Sequence, residues 1–180
     1  MPLCGKSLDM IWLAEQGYQV VGVELSSIAV RDFFRENDLQ PIKSKTGKFT
    51  LWQHDNISIL RGDYFNLSSE DLGDIDTVYD RAALTALPED IRKRYVAHLS
   101  QIISSNTRVF LLTTEDAEEH ETMTQALGVG EEITTLYTEN FEISLTHVES
   151  LYESVEDEPN AAPVRVEYKV YQLTRKTDIE

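Results

Sequence analysis

Four short stretches of this 180-residue chain carry residue types at spacings that could do chemistry: Leu3-Cys4-Gly5-Lys6-Ser7, Glu24, Gly62-Asp63-Tyr64 and Asp80-Arg81. A glycine in a strand-to-helix turn lets backbone pass close to a ligand, and the helix start beyond Gly5 turns N–H groups toward a carboxylate or phosphate. Glu24 lies 19 residues beyond Gly5. An acidic side chain at that distance, after a second strand, can accept both ribose hydroxyls of an adenosine, although a carboxylate beside a helix start also suits the helix dipole. Asp63 is placed to hold an adenine amino group, with Tyr64 either against the ring or in the core. Asp80 and Arg81 can bind the amino-acid end of a ligand, orient an anionic substrate, or pair with each other. Cys4 has no partner histidine in view and reads as a small packing residue rather than a nucleophile. The lone glycine falls short of G-x-G-x-x-G, which counts against a nicotinamide or flavin dinucleotide. Lys6-Ser7 has the ending of a phosphate loop without its first glycine.

These residues need elements to position them. Leu8, Ile11, Trp12 and Ala14 recur at helical spacing up to Gly17. The run YQVVGVE, Tyr18 to Glu24, reads as a buried strand, and Ser26 or Ser27 then caps a helix bearing Ile28, Val30, Phe33 and Phe34. KFTLWQHDNISILRGD predicts a hairpin turning at His54-Asp55-Asn56, its second arm, Ile57 to Arg61, joining the main sheet. Further strands are expected at Asp76 to Asp80 and Arg108 to Thr114. Between them a helix opens at Pro88, with Ile91, Tyr95, Leu99 and Ile102 on one face. Residues 118–128 read as an acidic helix, and FEISLTHVESLYE and VRVEYKVYQL as a closing antiparallel hairpin. Alternating strands and helices predict one domain over residues 1–180, a doubly wound, mostly parallel α/β sheet. Such sheets bind ligands at the carboxyl ends of their strands, where the singled-out residues fall.

Composition narrows the partners. A net charge of -16 argues against a phosphate backbone and so against nucleic acid. Residues 115–160 hold 14 of the 32 acidic groups and no Lys or Arg, the pattern of a solvated face or mobile segment. EDAEEHE around His120 lacks a second His or Cys at ligand spacing, so no metal is expected. One cysteine excludes an intrachain disulfide and fits a reducing, cytoplasmic setting. Neither a membrane-spanning apolar run nor a secretory signal is present, so no membrane partner is expected.

PLCGKSLDMIWLAEQGYQVVGVELS, GDYFNL, VYDRAALTALPEDIRKRYVAHL and EYKVYQL closely resemble the thiopurine S-methyltransferase family, its bacterial branch above all. The resemblance is strong over residues 2–113 and moderate over 164–173. It implies a seven-stranded class I methyltransferase fold with a C-terminal antiparallel hairpin, S-adenosylmethionine as cofactor, and a monomer. The acceptor it implies is the sulfur of a small aromatic or heterocyclic thiol, with selenium and tellurium compounds as further acceptors. Carried residue by residue, Leu3 and Gly5 would touch the methionine part, Glu24 the ribose, Asp63 and Tyr64 the adenine, and Arg81 the cofactor or acceptor. Asp80 could assist the reaction. Two departures stand out. The family's tryptophan-bearing N-terminal segment and full first strand are expected to be missing ahead of Met1. After the strand at Arg108 to Thr114, TTEDAEEHETMTQALGVGEE replaces the usual Gly-Pro-Pro-Phe stretch. Two other readings follow: a remnant that binds adenosylmethionine without catalysis, and a nicotinamide-dependent enzyme.

Overall fold

The structure, a computed structural model, describes residues 1–116, 130–153 and 163–176. Among them, eight strands form two four-stranded sheets, and the chain divides into two compact units, Met1–Ile75 with Gln101–Ile103 and Asp76–Ser100 with Ser104–Glu180. A single seven-stranded, mostly parallel sheet was the expectation, and the two mixed sheets correct it. The reason lies in the connections. Parallel neighbours need a crossover of a dozen or more residues, whereas tight turns force antiparallel pairing. Only one strand pair in each sheet has such a crossover.

The first unit runs α1 (Asp9–Glu15), β1 (Val20–Glu24), α2 (Ser27–Glu36), β2 (Ile42–Thr46), β3 (Phe49–His54), β4 (Ile57–Arg61), a 3-10 turn (Tyr64–Asn66) and α3 (Ser69–Leu72). Its sheet order is β1-β4-β3-β2, with β1 parallel to β4 as expected and β2-β3-β4 an antiparallel meander. Ser26 caps α2, its Oγ accepting from Ala29 N at 3.1 Å. Val30, Phe33 and Phe34 then fall on one face and pack with Met10, Ile57 and Ile59. Phe34 stacks on Trp52, whose ring carries Lys43 Nζ 3.6 Å from its centroid. Residues 1–4 form no strand, yet they lie along β1. The Met1 amine donates to Val21 O at 2.7 Å and Val23 N to Met1 O at 3.0 Å, which sets Met1 opposite Gly22 as a parallel neighbour would stand.

The second unit runs β5 (Thr77–Arg81), α4 (Glu89–Ile102), β6 (Arg108–Asp116), α5 (Glu131–Tyr137), β7 (Phe141–Glu153) and β8 (Val164–Arg175), in sheet order β5-β6-β8-β7. β5 and β6 are parallel, and β7 and β8 form the expected closing hairpin with a bulge between Leu145 and His147. Val109, Leu111, Tyr137, Tyr171 and Leu173 are among its buried side chains. The helix expected at 118–128 and the site weighed around His120 lie outside the described residues. α5 was not expected. Ile133 and Tyr137, four apart and both buried, give the helical spacing that would have revealed it inside the acidic run.

Candidate functional site

In the first unit the singled-out residues converge at the carboxyl edge of the parallel pair. The register sets Glu24 opposite Arg61, and Gly62 N donates to Glu24 O at 2.9 Å, so the turn after β4 leaves beside the end of β1. The Glu24 carboxylate bridges two loops. Its Oε2 accepts Gly5 N at 2.9 Å and its Oε1 accepts Ser26 N at 2.7 Å. A carboxylate has about four acceptor positions, so two remain for the paired hydroxyls of a ribose, and Glu24 is only half-buried. Gly5 has φ +52, and a Cβ built there would meet nothing within 4 Å: the loop needs glycine for its backbone and leaves room beside it. Leu3, with φ +46, adopts the same left-handed region without glycine's freedom, a strain that Glu24 and β1 hold in place. These features fit an adenosine-type cofactor.

Three other expectations resolve in the same unit. Cys4 is buried, and burial pushes its thiol up to about 12, which leaves no thiolate at neutral pH. A Cβ on Gly22 would stand 2.7 Å from Cys4 Sγ, so the bare glycine lets the thiol pack onto β1. Lys6 is not aimed at a phosphate: its Nζ pairs with Glu36 in α2 at 2.7 Å. Tyr64 takes the core alternative at 3% exposure, its ring edge-on to Phe65. Asp63 is exposed and caps the 3-10 turn through Phe65 N at 2.9 Å.

In the second unit Asp80 and Arg81 end β5, with Arg81 paired to Leu112 in the parallel register. Arg81 is exposed, but Asp80 has 0% exposure and both its oxygens are engaged. Tyr95 Oη donates to Oδ2 at 2.5 Å and Ala83 N to Oδ1 at 3.2 Å. Burial raises its pKa to about 6 against the pull of those two bonds. Asp80, expected to assist at the reacting end, thus acts on the loop that follows it. Ala82 in that loop has φ +65, a second left-handed residue that is not glycine. Beyond it opens a cavity of about 170 Å³ between two walls. Leu84 and Thr85 form one with Thr113 and Thr114 of β6, and Glu131 and Ile133 of α5 contribute the other. The sequence reading missed this pocket, because its walls come from segments whose side chains converge only after folding.

Solved structures with this architecture define the class. A TehB-like SAM-dependent methyltransferase from Corynebacterium glutamicum superposes with a TM-score of 0.53 at 17% identity, over 97% of this chain and 78% of that one. The 1,6-didemethyltoxoflavin-N1-methyltransferase of Burkholderia thailandensis, solved with S-adenosylhomocysteine, gives a TM-score of 0.55 at 14% identity over 98% of this chain and 69% of the other. The fold is that of the S-adenosylmethionine-dependent methyltransferases. Residues 1–176 match the model of the family Thiopurine S-methyltransferase (TPMT), and the chain belongs to that family. The Thiopurine S-methyltransferase of Stutzerimonas stutzeri (strain A1501) is 64% identical over 176 residues, which are 98% of this chain and 74% of the relative's length.

Proposed function

We propose that this chain transfers the methyl group of S-adenosylmethionine to the sulfur of a small aromatic or heterocyclic thiol of thiopurine type, with selenium and tellurium compounds as further acceptors. The observation that carries the reading is the Glu24 carboxylate, fixed by Gly5 N and Ser26 N with acceptor capacity to spare at the edge of a parallel strand pair. When bound, S-adenosylmethionine would supply an electrophilic methyl group: the thiolate sulfur bonds to its carbon as the carbon–sulfonium bond opposite breaks, and S-adenosylhomocysteine leaves.

The chain's own contribution is binding and alignment. In the first unit Glu24 would hold the ribose, Leu3 and Gly5 the methionine portion and Asp63 the adenine edge; in the second, Arg81 would hold the charged end of the acceptor. Tyr64, buried against Phe65, fixes the turn that carries Asp63. A heteroaromatic thiol is acidic enough to be largely thiolate near neutral pH, so no side-chain base is needed, in keeping with the fully engaged Asp80. The cavity serves as the acceptor site. Its volume suits one aromatic ring, since cavities near ~150 Å³ hold benzene. Leu84 and Ile133 give that ring apolar contact, and Thr114 offers a hydroxyl to a ring nitrogen. A monomer in the cytoplasm is the setting proposed; the one cysteine, buried and in no disulfide, fits a reducing compartment.

Calorimetric titration with S-adenosylhomocysteine, followed by mass detection of an S-methylated thiopurine, tests both halves. Saturable heat is expected with S-adenosylhomocysteine and none with NAD. Glu24→Gln loses a charged acceptor and should weaken binding by about tenfold, or about 1.4 kcal/mol. An undiminished affinity in Glu24→Gln would remove the ribose assignment, and binding without methylated product would remove the acceptor reading.

A further inference from the structure

We infer that Arg92 and Tyr95, neither of which lines the cavity, are positioning residues that set its two walls, an inference that rests on reading the cavity as the acceptor site. The two lie three apart in α4 and so share one helix face. From that face Tyr95 Oη donates to Asp80 Oδ2, and Asp80 Oδ1 accepts Ala83 N at 3.2 Å. Arg92 Nε donates to Leu87 O at 2.9 Å. One helix face thus grips both ends of the segment that carries Leu84 and Thr85 into the cavity wall.

Inside the grip the backbone is one that would not persist unaided. Ala82 sits at φ +65, a region that disfavours residues with a Cβ. Its carbonyl is held twice, by Ala86 N at 3.0 Å and by Thr85 Oγ1 at 3.2 Å, and Leu87 N donates to Leu84 O at 3.1 Å. These bonds fold the segment into a tight turn, and the Asp80 and Leu87 anchors fix where that turn points. The second wall is tied to the same face. Arg92 Nη1 pairs with Glu132 in the first turn of α5, and Glu132 lines the cavity together with Glu131 and Ile133. One guanidinium therefore joins the end of the loop to the start of α5, a geometry Lys could not reproduce from a single charged nitrogen. A core tyrosine and a surface ion pair would be the plain account. That account does not explain why both reach toward the cavity's frame from one face, or why Arg92 is largely covered, with 18% side-chain exposure.

The test uses the full chain with Tyr95→Phe and Arg92→Met, read in two ways. Amide hydrogen exchange at Ala83 and Ala86 should quicken by about tenfold in each variant, while Val78 and Val109 in the β5–β6 ladder keep the parent's protection. For the thiopurine acceptor, KM should rise by about tenfold, since small misplacements at a reacting centre carry large rate penalties. If Tyr95→Phe does not fold, Arg92→Met decides alone, because its side chain is partly exposed. Unchanged loop exchange in the folded variants would overturn the positioning role whether or not the parent turns over. Faster exchange with an unchanged acceptor KM would overturn it too. A parent with no turnover would instead fail the acceptor reading, a result distinct from either.

Discussion

Asp80→Asn should make the protein more stable at pH 7.5, although it removes a charge that accepts two hydrogen bonds. The carboxyl is fully buried and its pKa in the folded state is about 6, against 3.8 for the ordinary group. The folded protein therefore holds the proton more tightly than the unfolded chain does, and stability declines as pH rises through the interval from about 4 to about 6. At about 1.4 kcal/mol for each pH unit, a difference of about two units costs about 3 kcal/mol once the group is ionised in both states. Asparagine carries no such cost, and its geometry keeps both contacts: Oδ1 accepts Ala83 N, and the amide nitrogen donates to Tyr95 Oη. The assay is urea unfolding of parent and variant from pH 4 to pH 8, with slopes compared so that a change in midpoint reports stability alone. The variant should gain up to about 3 kcal/mol at pH 7.5 and only about 0.5 kcal/mol at pH 4, where the folded carboxyl is neutral and the unfolded one is about half ionised. A variant less stable than the parent at pH 7.5, or a difference that does not change with pH, would refute the reasoning that burial outweighs the two bonds.

Two further outcomes follow from the first unit. Gly22→Ala places a Cβ 2.7 Å from Cys4 Sγ and 3.0 Å from Met10 Sδ, and should cost about 1–3 kcal/mol by thermal unfolding. Adding Cys4→Ala removes the nearest atom and should recover most of the loss, whereas no recovery would show that the clash lies elsewhere. Cys4 itself, with its thiol pushed up to about 12, should react with a disulfide reagent at pH 8 only on unfolding, and rapid labelling of native protein would contradict its burial.

Short-range patterns in the sequence are enough to specify the local pieces and the meeting of Gly5 with Glu24. The β-branched run ending at Glu24, the cap at Ser26 and the Val30-Phe33-Phe34 stripe are short-range patterns, and short-range patterns specify elements. The 19-residue step from Gly5 to Glu24 was legible for a related reason: one helix and one strand lie between them, so spacing in sequence becomes proximity in space. The Glu24 bridge to Gly5 N is the direct outcome. The closing hairpin was equally plain, as two long strand-like runs consecutive in the chain pair antiparallel.

The remaining features depend on distant segments. Whether Tyr64 faces a ligand or the core, and whether Asp80 meets solvent or a helix, turn on what packs above each one. Asp80 is decided by Tyr95, fifteen residues on, whose hydroxyl finds it from the buried face of α4. Tyrosine among the aliphatics of that face was the single hint, because a buried phenol needs a polar partner. The division of strands between two mixed sheets was likewise beyond local pattern: periodicity marks a strand but not its neighbour, and pairing is chosen by turns and crossovers acting at once. The cavity depends on the same long-range choice, since β6 and α5 meet the Asp80 loop only when the chain has folded. Local chemistry wrote the residues of the site, and packing between remote segments chose which of them face solvent.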